Sequence, residues 1–200
     1  MKLKTTLLLI LVAATIGAAC VASPPALPSG IVRDPPPDVS DVSLPDAANA
    51  DRAFTTRAGS GALLLVYFGY TSCPDVCPTT LADLRRAVQR LGDDAGRIDV
   101  AMITVDPDRD DAQRLTAYVQ SFFDGAHALR TDDAGQLLAA ADAFGASYEV
   151  SQSEDGDVDV AHSAFLYAVD ADGLIRLQWP FGVTSDDLYN DLVRLIEERT

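Results

Sequence analysis

Positive charge is what this sequence lacks most. Fifteen Lys and Arg stand against thirty Asp and Glu, a formal net charge of −15 over 200 residues. So acidic a surface argues against nucleic acid or an anionic membrane face as partner. It suits a basic protein partner, attracts cations, or serves to keep the chain soluble. No internal repeat is visible, and the composition is that of an ordinary globular chain, 48% hydrophobic and 22% charged. Metal-binding residue types are few: three cysteines and two histidines. A structural zinc site normally takes four protein ligands, and no fourth cysteine is available to complete one. The apolar run Leu7–Ile16 falls short of the roughly 20 residues that a membrane-spanning helix needs.

What is present at the N-terminus is an export pattern. Residues 1–19 carry Lys2 and Lys4, then the apolar run, then the small residues Gly17, Ala18 and Ala19. Cys20 follows directly and resembles the acylated cysteine of bacterial lipoproteins, although Gly17 stands where that pattern prefers leucine. Ordinary signal cleavage and an uncleaved anchor are the alternatives. The expectation is an exported, envelope-facing protein held to the membrane as a lipoprotein through Cys20. Removing residues 1–19 deletes two lysines and no acid, taking the net charge to −17. Residues 20–47 hold seven of the eleven prolines and read as an extended, semi-rigid tether. A domain of residues 48–200 then has ample length for one core.

Within that domain, Ala62–Tyr70 is a nearly continuous apolar run, the pattern of a central strand covered on both faces. Leu81, Leu84, Val88 and Leu91 recur at helical spacing, with Gly92 able to close the helix. Ile98–Val105 is a second buried strand. Asp108, Asp110 and Asp111 open a helix carrying Leu115, Tyr118, Val119 and Phe122. A shorter helix spans about Ala134–Phe144 and stops at Gly145. Ala164–Val169 and Leu174–Gln178 form a hairpin about Asp170–Gly173. Thr184 and Asp187 cap a last helix. Strand, cysteine pair, helix, strand, helix, then hairpin and helix is a thioredoxin-like α/β order. It implies a central mixed sheet flanked by helices, with a hairpin added in the C-terminal half.

Cys73 and Cys77 stand between that first strand and first helix, where backbone N–H groups and the helix dipole favour thiolate. Thioredoxin-type redox pairs have two intervening residues; here Pro74, Asp75 and Val76 make three, which opens the loop toward an external point. Asp75 disfavours thiolate unless a cation offsets its charge. The competing readings are a redox pair, a metal clamp, and core thiols or a stabilising disulfide. Of the two histidines, His162 lies just before the hairpin, on the side of the cysteine loop, and can complete a site of two sulfurs and one nitrogen. That donor set suits copper, since soft thiolates favour Cu(I). His127, in a short link before the third helix, reads as a hydrogen-bonded structural residue.

Three separated blocks, YFGYTSCPDVCPTTL, ITVDPDRDDAQRLTAYVQSF and AHSAFLYAVDADG, resemble the Sco/SenC family of copper-binding assembly proteins, in the family's order and over the whole domain. The resemblance implies a thioredoxin-like fold and one copper ion, Cu(I) or Cu(II), on Cys73, Cys77 and His162. It also implies a role in assembling the dinuclear copper A centre of cytochrome c oxidase. The implied partners are the oxidase's copper-bearing subunit, a thiol reductant and another copper chaperone. On this reading the protein is a metallochaperone with no turnover of its own. The alternative is a thiol–disulfide oxidoreductase that reduces the cysteines of an apo copper protein with Cys73 and Cys77. Asp106 and Asp110 match acidic family positions and read as structural or supporting groups, with partner contacts as the alternative and a ligand role ranked last. The family often has Asp before the histidine, where this chain has Ala161, so a carboxylate that could orient the imidazole is missing.

Overall fold

The computed structural model describes residues 27–153 and 155–198. In chain order the elements are β1 (Ser43–Asp46), β2 (Arg52–Thr55), β3 (Leu63–Gly69), α1 (Val76–Arg90), β4 (Ile98–Thr104), α2 (Ala112–Gln120), β5 (His127–Leu129), α3 (Ala134–Phe144), β6 (Tyr148–Gln152), β7 (Val158–His162), β8 (Leu166–Val169), β9 (Ile175–Trp179) and α4 (Ser185–Glu197). Seven strands form one sheet in the order β2-β1-β5-β4-β3-β8-β9, and β6 with β7 forms a separate two-stranded sheet. β3, β4 and β5 run parallel, while β8 and β9 are antiparallel additions. This is the thioredoxin-like mixed sheet that the sequence implies.

The apolar run of β3 explains why it lies at the centre. All seven of its residues are buried, and they alternate between the two faces. Leu63, Leu65 and Tyr67 join the core under α1 and α4, while Leu64, Val66 and Phe68 join the core under α3. Each large side chain so buried contributes about 1.5–3 kcal/mol. The helices end where their sequence says they should. The side chains of Asp111, Asp133 and Thr184 accept N-terminal N–H groups of α2, α3 and α4. Gly145 closes α3 in the left-handed region, at φ 67°.

The proline-rich segment departs from the expectation of a tether. From Ser29 onward it packs on the domain, and β1 lies inside the sheet, hydrogen-bonded to β2 and β5. Ile31 exchanges two backbone hydrogen bonds with Gln178, Val39 donates to Gly173, and Pro37 accepts from Ile175. Val39 and Leu44, spaced between the prolines, are buried. Proline stiffens a chain in extended form and keeps its carbonyl acceptor, so it is as compatible with lying along a sheet as with a free linker. The folded unit therefore starts well before residue 48. The export segment 1–19 and Cys20 lie outside the described residues. Among the described residues, no helix is long and apolar enough to cross a membrane.

Candidate metal centre

The site is built where β3 stops. Gly69 ends the strand, and a loop of six residues leads into α1 at Val76. A Cβ on Gly69 would lie 2.7 Å from the Tyr67 ring and 3.1 Å from Cys77 Sγ. Only glycine lets the sulfur approach the strand so closely. Asp75 occupies the N-cap position of α1, yet its side chain caps no helical N–H. The sulfur of Cys73 does so instead, accepting from the Cys77 N–H at 3.3 Å, and Pro78 brings no N–H of its own. The first turn of α1 thus presents a backbone N–H to the Cys73 sulfur.

The loop is held from below by Asp110. This fully buried carboxylate accepts from the backbone N–H and hydroxyl of Thr71 and from the hydroxyl of Thr104, the last at 2.7 Å. It thereby ties the β3–α1 loop to the end of β4. Asp106 holds Arg109. Both acids thus support the loops, as the sequence reading assigned them.

Cys77 is buried and Cys73 is half-buried, and both are free thiols. Burial pushes the Cys77 thiol up to about 12, opposed by a hydrogen bond from the Tyr70 backbone. His162 ends β7, with Nε2 3.7 Å from Cys77 Sγ and Nδ1 3.3 Å from the Ser163 carbonyl oxygen. Burial holds its imidazole below the ordinary histidine range, against the opposing Ser163 carbonyl. The ring is therefore neutral near pH 7, the form that binds metals.

Ligand atoms of Cys73, Cys77 and His162 all lie within 4.8 Å of one another, and no carboxylate among the described residues joins them. Bonds of about 2.0–2.3 Å to N and S donors place the ligand atoms of a trigonal site roughly 3.5–4 Å apart. The cluster matches that spacing with side-chain movements of under an ångström, and two sulfurs with one imidazole fit a soft, low-coordinate ion.

His127 is elsewhere. It sits at the N-terminal end of β5, whereas the cluster lies beyond the C-terminal end of β3. Its Nδ1 meets the buried Asp46 carboxylate at 2.7 Å and its ring stacks on Phe54. The sequence reading left out the aromatic residues around His162. Tyr67 and Tyr70 both present their rings roughly at right angles to the imidazole, at centroid distances of 6.2 and 5.8 Å. Their positions on either side of Gly69, just ahead of the cysteines, were the available signal.

Comparison with known proteins places this arrangement in context. A family model described as SCO1/SenC matches residues 46–197. A putative copper-binding protein of Stutzerimonas stutzeri is 35% identical over 127 residues, 63% of this chain and 62% of that one. The human mitochondrial protein SCO2 homolog is 37% identical over 117 residues, 57% of this chain and 44% of that one. The matched stretches thus span between 44% and 62% of these relatives' lengths. Among solved structures, Bradyrhizobium japonicum ScoI with copper bound superposes with a TM-score of 0.65 at 29% identity, covering 76% of this chain and 96% of that one.

Proposed function

This chain belongs to the SCO1/SenC family, and from that premise we propose that it is a copper metallochaperone. The observation that carries the reading is the cluster itself: two thiols and one neutral imidazole converging within 4.8 Å. Copper is here the cargo. Cys77 and His162 would hold it from the protein's interior, and Cys73, half-exposed at the loop, is the ligand that an acceptor's thiolate would displace first. Each thiol gives up its proton on binding, and the proton returns when the ion leaves. The family resemblance extends the proposal to assembly of the copper A centre of cytochrome c oxidase, with the oxidase's copper-bearing subunit as acceptor. The soft donor pair favours Cu(I) as the transferred form.

Titration of the fully reduced protein with copper tests this reading. One equivalent should bind, with a sulfur-to-copper charge-transfer band after Cu(II) addition. His162→Ala should weaken binding at least about tenfold and shift the band. Undiminished binding by His162→Ala would remove the three-ligand site.

A second reading rests on the same two free thiols. Cys73 would attack a target disulfide and form a mixed disulfide, releasing one target thiol. Cys77 would then attack the Cys73 sulfur, closing the Cys73–Cys77 disulfide and releasing the second thiol, so that two electrons pass to the target. This route needs no imidazole, so His162→Ala separates the readings: it should impair copper binding and spare reduction of an oxidised dithiol target.

The proposal includes location. Residues 1–19 would direct export, and acylated Cys20 would hold the domain at the membrane. Cys20→Ser should move the protein from the membrane to the soluble fraction; continued membrane association of that variant would refute the anchor.

A further inference from the structure

The two cysteines and His162 are fixed to the protein in very different ways. Cys77 lies in the first turn of α1, fully buried against the central sheet. His162 ends a strand of the two-stranded β6–β7 sheet, which shares no ladder with the seven-stranded sheet. Backbone pairing therefore sets His162 opposite Tyr148, but no strand pairing sets it relative to the cysteines. At the base of this hairpin, the Ser163 N–H donates to the Ser147 carbonyl at 2.8 Å and Ser163 Oγ accepts from the Ser147 N–H at 2.9 Å. These bonds are internal to the hairpin. The imidazole's own polar anchor is weak, a 3.3 Å approach of Nδ1 to the carbonyl of the next residue. With Ala161 before it, the preceding residue supplies no carboxylate.

Val160 seats the hairpin on the core under α3, but what faces the imidazole itself is aromatic. Tyr67, buried in β3, meets the imidazole at an interplanar angle of 82°, and Tyr70, in the cysteine loop, meets it at 87°. Two rings perpendicular to a third restrict both its rotation and its sideways movement, because aromatic contacts are favourable only over a narrow range of geometries. Tyr67 is the fixed wall, held within the sheet between Met102 and Leu166. Tyr70 is the wall that belongs to the loop. Its carbonyl accepts from the Cys73 N–H at 3.3 Å, and the next residue, Thr71, is tied to buried Asp110. On Tyr70, the Arg109 guanidinium lies 6.0 Å from the ring centre. Arg109 is steered there by Asp106 and has a buried Nη2 with no hydrogen-bond partner among the described residues.

We propose that Tyr70, working against Tyr67, is the positioning residue that aims the His162 imidazole at Cys77, in place of a carboxylate partner on Nδ1. The inference deepens the metal-site reading and rests on it for its consequence, but its geometry belongs to the metal-free protein. It is the ring of Tyr70, not the hydroxyl, that does the positioning, so phenylalanine should substitute for it and leucine should not.

The test uses the full protein with Tyr70→Phe and Tyr70→Leu. Tyr70 is half-exposed, so neither change empties the core. Long-range nitrogen–proton NMR of the reduced, metal-free protein resolves the two histidines, and His127, held by Asp46, serves as the control for intact folding. The His162 ring signals should coincide in wild type and Tyr70→Phe. In Tyr70→Leu they should move and broaden or double, with His127 unchanged. With copper sulfate added, wild type and Tyr70→Phe should give one electron paramagnetic resonance species, and Tyr70→Leu more than one, with affinity about tenfold or more lower. His162 signals in Tyr70→Leu that coincide with wild type would overturn the clamp. Displaced His162 signals in a protein whose wild type takes up no copper would leave the clamp standing and remove the copper reading instead.

Discussion

At the scale of single residues, burial sets the ionisation of the site. Cys77 is pushed up to about 12 from the ordinary thiol value of 9.0, and His162 is held below the ordinary 6.5, in both cases chiefly by desolvation. The signs give opposite limits for the metal-free, reduced protein. The raised Cys77 thiol contributes stability that is fully present below about pH 9 and lost as pH rises toward 12. The lowered His162 contributes stability that is present above about pH 6.5 and lost as pH falls through its folded value. Denaturant unfolding followed against pH should therefore show a plateau from about 6.5 to 9 with a decline on each side. In a Cys77→Ala variant the alkaline decline should shrink; an unchanged decline would mean that Cys77 is not desolvated as described. The fold does bring Cys73, Cys77 and His162 together, and that they could converge was legible from residue type, because few residues can ligate a soft metal. The tyrosines about His162 were not, because an aromatic residue in a buried run reads as core whichever side chain it faces.

At the scale of elements, the site depends on the junction of two loops. Asp110 is the pin: without it the Thr71 N–H and the Thr71 and Thr104 hydroxyls lose a buried acceptor. Asp110→Ala should cost about 2–4 kcal/mol and loosen the cysteine loop. Alkylation of Cys77 by a small thiol reagent in native buffer should accelerate clearly; protection equal to wild type would show that the loop is held by other contacts. The strands and helices with strong periodicity were legible in the sequence: β3, β4, β8, β9 and the four helices. β2 and the β6–β7 hairpin were not. Their residues are largely exposed, Val160 alone being buried, and the alternation in β6 and β7 is only two apolar residues long in each, Tyr148 and Val150 or Val158 and Val160, too little to mark a strand. β5 is only three residues long, too short for a pattern to register.

At the scale of the whole molecule, the segment of residues 29–46 is part of the fold and not a leash. Buried Asp191 on α4 accepts from the Ser29 and Gly30 backbone N–H groups and from Trp179 Nε1, at 3.2, 2.9 and 2.8 Å, and pairs with Arg194. Gly30 is required there, since a Cβ would come within 2.7 Å of Trp179 Nε1. If Cys20 is the anchor, the chain between it and Ser29 spans at most about 30 Å when extended, which keeps the domain close to the membrane. Asp191→Ala leaves the Ser29, Gly30 and Trp179 donors without their shared acceptor, at a cost of about 2–4 kcal/mol. Limited proteolysis should then cut between residues 30 and 43 while the remaining domain persists. Resistance equal to wild type would show that the strand contacts alone hold the segment.

Patterns along the chain suffice for the broad architecture of this protein. The cysteine pair at the strand-to-helix turn, the buried central strands and the capped helices each follow from residue type and short-range spacing, which operate along the chain. How Cys73, Cys77 and His162 come together, and where the folded unit begins, are settled by contacts across the fold. The side chains about His162 come from β3 and the cysteine loop, nearly a hundred residues away in the chain. The prolines from Pro35 to Pro45 are compatible with both a free linker and a strand along the sheet, and the packing of Val39, Leu44 and the Asp191 clamp selects the second. Such contacts are long-range, and their energies depend on what faces each residue across the fold.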